Sequence, residues 1–255
     1  MSETNGSSTF PVTLPIGYTD GAGTRHRRGA VRKLRGTDEA LFYDAGLSGA
    51  ELVTQLIQRC LVRLEGMERV EQPLVDQLFS VDRSYLVFEL RRATFGDALR
   101  AHYQCPACQR DIAVIEQLDA LAIRRLRDDE ALEPIAITLE DGFQDRRGAT
   151  HRDIVLTLPR GTDEAFVAGL TERDLLQARD ALLLRCIRRF GALPQAELEA
   201  YGIKILRELT LGDRRRLHDA LNQAPGVEFL RAVTCPHCGA AFEAVLDVSD
   251  FFAVN

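Results

Sequence analysis

The sequence predicts an α+β protein built from two related halves, each a β-hairpin, then helices, then half of a zinc ribbon. Three observations carry that prediction. A block of chain is written twice at constant spacing, apolar periods of 2 and 3.6 follow one another in the same order in both copies, and each copy ends near an identical Cys-Pro-x-Cys word.

Residues 11–40 set against 136–165, at an offset of 125, give 13 identities in 30 positions. The shared frame runs from Thr13-Leu14 and Thr138-Leu139 through Gly17 and Gly142, Asp20 and Asp145, Gly23 and Gly148, to His26-Arg27 and His151-Arg152. Both copies then reach the same word, Arg35-Gly36-Thr37-Asp38-Glu39-Ala40 and Arg160-Gly161-Thr162-Asp163-Glu164-Ala165. Duplication is the economical explanation. The expected organisation is a polar tail at 1–10, a first repeat at 11–118, a linker at 119–135 and a second repeat at 136–255. At about 150 residues per domain, 255 residues allow one domain or two, and a duplication chooses two halves.

In each half the Gly/Asp-rich stretch lies between alternating apolar segments and reads as a hairpin: Leu14 to Tyr18 with Ala30 to Leu34, and Ile137 to Phe143 with Ile154 to Leu158. Thr37 and Thr162 are placed to cap a short helix, with the Asp-Glu pairs complementing its dipole. His26 and His151 are expected to hold the hairpin by a hydrogen bond.

Ser48 with Glu51 is a capping box before the first long helix, and Thr171 with Asp174 a looser one before the second. The apolar stripes run from Leu52 through Cys60 to Leu64, ending at Gly66, and from Leu175 through Cys186 to Phe190, ending at Gly191. Cys60 and Cys186 lie within these stripes and read as small core residues. Thr94-Phe95-Gly96-Asp97 is answered by Thr210-Leu211-Gly212-Asp213, after which the second copy gains 14 residues that include a basic helix, Arg214 to Gln223.

The other four cysteines form Cys105-Pro-Ala-Cys108 and Cys235-Pro-His-Cys238. Alternating segments flank each word, so each reads as strand, tight turn and returning strand. That is the zinc-knuckle arrangement: two thiolates on one side of a turn, with a second turn completing a tetrahedral set. Cys105, Cys108, Cys235 and Cys238 are the expected ligands of one structural Zn²⁺ per chain. A thioredoxin-like redox dithiol would instead sit at a helix N-terminus, and no helical pattern follows either word.

Composition narrows the function. No run of about 18 apolar residues occurs, so no membrane span is expected. The polar start Met1–Thr9 carries no apolar export segment, which makes a cytoplasmic location the expectation. A net charge of −6 argues against a nucleic-acid partner. No nucleophile elbow, phosphate-binding glycine loop or His-Glu-x-x-His helix is present, and no catalytic residue is assigned.

The words Leu14-Pro15-x-Gly17-Tyr18-x-Asp20 with Gly23-x-x-His26-Arg27, then Gly36-Thr37-Asp38-Glu39, Asp82-Arg83-Ser84-Tyr85-Leu86, Leu90-Arg91-Arg92-Ala93-Thr94-Phe95-Gly96-Asp97 and Cys-Pro-x-Cys carry a resemblance. Together they resemble the baseplate hub assembly chaperones of T-even-type phages and of phage-tail-like contractile injection systems. The resemblance implies a non-enzymatic assembly factor or minor baseplate subunit, with hub, spike or other tail proteins as partners. Two other readings compete: a zinc-ribbon nucleic-acid-binding protein, supported by Arg25 to Arg35 and Arg214 to Arg216, and a dithiol oxidoreductase.

Overall fold

Each half begins with an antiparallel hairpin whose turn is organised by one aspartate. In the computed structural model, which describes residues 8–67, 69–171, 173–247 and 251–252, the first half runs β1 (Thr9–Thr19), β2 (Arg25–Arg32), α1 (Gly36–Glu39) with a 3-10 turn Ala40–Tyr43, α2 (Gly49–Cys60), β3 (Leu61–Leu64), α3 (Gln72–Gln77), α4 (Ser80–Phe95), β4 (Ala98–Gln104) and β5 (Asp111–Gln117). A short strand β6 (Ile123–Arg124) follows. The second half runs β7 (Ile135–Gln144), β8 (Thr150–Leu156), α5 (Gly161–Thr171), α6 (Leu175–Cys186), β9 (Ile187–Phe190), α7 (Gln195–Glu208), α8 (Leu211–Asn222), β10 (Gly226–Val227), β11 (Leu230–Thr234) and β12 (Ala241–Val245).

The expected mixed α and β architecture is present. The sheets β1-β2-β3 and β7-β8-β9 have the same order, and their registers match at the offset seen in the sequence: Thr13 faces Arg28 and Tyr18 faces His26, as Thr138 faces Asp153 and Phe143 faces His151. At the turns, Asp20 Oδ1 accepts from the N–H groups of Ala22 and Thr24, while Oδ2 meets His26 Nε2 at 2.9 Å. Asp145 repeats this with Arg147, Ala149 and His151. The histidine contact, ahead of the backbone donors, holds both carboxyls below the usual range. The two histidines are buried and brace their turns, the role expected of them.

The strand boundaries differ from expectation at three places. β1 starts at Thr9, so Thr9 and Phe10 of the expected tail pair with Arg32 and Val31; residues 1–7 lie outside the described set. Within the expected linker, β6 pairs with β10. The helical stripes also stop early: α2 ends at Cys60 and α6 at Cys186, and the next four residues are strands β3 and β9. A strand with two buried ends and two exposed middle residues satisfies the same apolar spacing as one helical turn, and β2 and β8 offer the unpaired backbone groups that decide between them.

The helix caps differ from expectation as well. The short-helix cap is made by the aspartate and not by the threonine: Asp38 accepts from Arg35 N–H and Asp163 from Arg160 N–H, with Thr37 and Thr162 one position earlier inside the helix. Ser48 and Glu51 form the expected capping box. Thr171 ends α5, donating to the Val167 carbonyl, and Asp174 alone caps α6.

The structural counterpart of Asp213 also differs from the expected Asp97. From the first turn of α8, Asp213 accepts from the N–H groups of Glu140, Asp141 and Gly142 at 2.7 to 3.1 Å, where β7 bulges. Its counterpart is not Asp97, which pairs with Arg92 at the end of α4. It is Asp82, in the first turn of α4, which accepts from Ile16 and Gly17 at the matching bulge of β1. Gly17 and Gly142 have φ of +101° and +77°, a conformation that suits glycine. The next residues agree: Arg83 donates to the Val75 carbonyl and to Thr54 of α2, Arg214 to the Leu206 carbonyl and to Asp180 of α6. Helix α8 therefore matches α4 and is no insertion. The extra length of the second half lies in α7, 14 residues against 6 in α3.

Two main cores result. The larger combines β1 to β5 and α2 to α4 with Val233, Cys235, Leu246 and Phe251, so the second cysteine hairpin packs on the first half. The smaller joins β7 to β9 with α6 to α8. Ile16, Phe79, Leu126, Leu158 and Ala224 form a seam between them.

Candidate metal centre

Hairpins β4-β5 and β11-β12 present the two Cys-Pro-x-Cys words face to face. Each turn is closed the same way: Cys105 N–H donates to the Arg110 carbonyl and Gln109 N–H to the Cys105 carbonyl, while Cys235 and Gly239 repeat both bonds, the former with Ala240. The turn needs a left-handed residue after the second cysteine. Gly239 supplies it at φ +73°, and Gln109 adopts +58°, the one positive φ of a non-glycine residue among the described residues.

All four sulfurs lie within 4.8 Å of one another, with Cys105 Sγ to Cys238 Sγ and Cys108 Sγ to Cys235 Sγ both 3.7 Å. Zn–S bonds of about 2.3 Å in a tetrahedron separate sulfurs by about 3.8 Å, so the set fits that ion. It does not fit disulfides, whose sulfurs are about 2.0 Å apart. Burial opposes ionisation of Cys235, yet the N–H groups of His237 and Cys238 and the neighbouring thiols bring it down to about 7. Cys238 receives the Ala240 N–H, but burial and the adjacent sulfurs push it up to about 12. Four thiols this close cannot all lose protons without a cation among them.

A second clamp, not foreseen from the sequence, crosses the same hairpins. Glu116 on β5 accepts from Tyr103 Oη at 3.0 Å and from Arg231 Nε on β11 at 3.0 Å. Nothing in local patterning marks Glu116, because its partners lie 13 and 115 residues away. His102 and His237 are exposed and lie outside the four-sulfur cluster.

Cys60 and Cys186 are buried in the cores, where burial first of all pushes their thiols up to about 11 and about 12. Neither cysteine word stands at a helix N-terminus.

A family model described as T4 bacteriophage base plate protein matches residues 44–253. The chain belongs to that family. The span matched by the baseplate family includes both cysteine words, α2 to α8 and the whole second hairpin, and begins beyond β1-β2. Neither curated proteins nor solved structures give a significant match. Among the described residues no helix is long and apolar enough to cross a membrane.

Proposed function

We propose that this baseplate family member is a non-enzymatic assembly factor or minor baseplate subunit of a contractile phage-tail-like particle. It binds hub, spike or other baseplate proteins in the cytoplasm, and a single structural Zn²⁺ held by Cys105, Cys108, Cys235 and Cys238 secures its fold. The observation that carries the role is the family match over residues 44–253. What supports the metal is the clustering of the four sulfurs within 4.8 Å of one another. The two halves are proposed to descend from one duplicated unit, supported by the repeated Asp-Arg contacts of α4 and α8 and by the matched sheet registers. The zinc then joins repeats 11–118 and 136–255 into one folding unit, because each contributes two ligands.

Co-expression with the particle's hub and spike proteins, pull-down, and electron microscopy of particles from a deletion strain test the role. The expected result is capture of a hub or baseplate component together with absent or malformed baseplates. Normal particles and no bound tail protein would refute it.

A further inference from the structure

We propose that this protein associates head to tail with further copies of itself, the Arg35–Ala40 word of one copy docking on the α7-α8 junction of the next. The pairing is already visible once inside the chain. The Arg160–Ala165 word sits on the junction between α3 and α4: Ser80 N–H donates to the Pro159 carbonyl at 2.9 Å and Gly161 N–H to the Leu78 carbonyl at 3.1 Å. The Arg160 guanidinium lies 4.2 Å from the centre of the Phe79 ring. Glu164 accepts from buried Arg83 at 2.7 Å, and Ala50 and Val53 of α2 line one cleft with Val167 and Ala168 of α5. Even a methyl group on Gly161 would press on the Arg83 guanidinium, so the fit is close.

Word and receptor each occur a second time. The receptor counterpart in the second half is Glu208 to Arg214, with Leu209 for Leu78, Leu211 for Ser80 and Arg214 for Arg83. Among the described residues no segment makes the corresponding backbone bonds to Leu209 or Leu211, nor do Leu34 and Gly36 of the first word make theirs. The face is correspondingly bare and apolar. Leu211 is 84% exposed, and Leu175 and Leu176, in the places of Gly49 and Ala50, are 63% and 54% exposed. On the other side Glu39, the counterpart of Glu164, is exposed without an ion pair among the described residues, and Tyr43 beyond it is 77% exposed.

Charge favours the match. Arg207 and Arg214 share the single carboxylate of Asp180, leaving one positive charge beside the receptor for Glu39 to meet. The first half reaches neutrality differently: Thr54 stands where Asp180 does, and Glu164 brings the charge. A second copy is the occupant because donor and receptor are both on this chain and an identical word is already seated on the matching junction. The relation is not reciprocal within one chain, so the contact is heterologous, and copies close into a ring or extend.

Sedimentation velocity and mass photometry of the full-length, metal-replete protein over a range of concentrations test this. Wild type is expected to self-associate reversibly, and Glu39→Arg and Leu211→Asp each to weaken association by about tenfold or more. Both positions are exposed, and unchanged thermal melts check the fold. The decisive measurement mixes the two variants. Each retains one good end, so equimolar mixing is expected to give a 1:1 dimer and nothing larger. A wild type that stays monomeric, association indifferent to both substitutions, or a mixture that fails to dimerise would overturn the proposal.

Discussion

Asp82 and Asp213 do the same work in the two halves, each reaching from the first turn of a helix to hold the backbone N–H groups of a strand bulge. Their electrostatics diverge. Asp82 is fully buried, and burial outweighs its two N–H donors and raises it to about 6; for Asp213 three donors outweigh burial and lower it.

That divergence sets opposite pH dependences. A raised folded pKa means that the Asp82 contribution is complete below the unfolded value near 3.8 and is lost as pH rises through about 6. The stability of wild type relative to Asp82→Asn is therefore expected to fall between about pH 4 and 6. Relative to Asp213→Asn it is expected to be flat there and to decline only below that window, because a lowered pKa gives stability that is lost on acidification. Urea unfolding at several pH values measures both. Identical profiles for the two variants would contradict the assignment.

Arg83 is 1% exposed and donates to Val75, Ala50, Thr54 and Glu164. Arg83→Ala removes the buried guanidinium that these four acceptors share and is expected to cost about 3–5 kcal/mol. Glu164→Gln leaves the other three acceptors and is expected to cost about 1 kcal/mol, since Glu164 is partly solvated. Chemical denaturation of both ranks them, and equal losses would show that the Glu164 contact alone carries the junction.

A Cβ added at Gly66 (φ +73°) would fall 2.6 Å from His26 Cε1, and one at Gly191 (φ +53°) 2.7 Å from His151 Nδ1. Gly66→Ala places a methyl group against the imidazole in a strained backbone, and a loss of about 1–3 kcal/mol is expected. In the His26→Ala background the steric part disappears, so the two losses do not add. A double-mutant cycle reads this; strict additivity would place the cost in the backbone alone.

Elemental analysis is expected to find about one Zn²⁺ per chain, and Cys105→Ser and Cys235→Ser to lose it and to lower the melting temperature alike, since each word supplies half the ligand set. Cys60→Ser and Cys186→Ser keep the metal while destabilising their cores by about 1–3 kcal/mol, as a hydroxyl enters an apolar site. Metal retained after Cys235→Ser would point to another ligand set.

The sequence by itself determined the repeat from Thr13 to Ala40, the hairpins, the α2 capping box and the four candidate ligands, because each is written in neighbouring residues or in identical words. It misaligned Asp213 with Asp97 because a four-residue word carries little information and the real counterpart is defined by contacts 65 to 73 residues away. It extended α2 and α6 through β3 and β9 because apolar spacing over four residues does not separate a helical turn from a short strand. Only the tertiary structure decided those points, together with the Glu116 clamp and the seating of α5 on the first half. Each is a long-range hydrogen bond or ion pair, and such a partner becomes available only once the chain has brought distant backbone and charge together in a buried place.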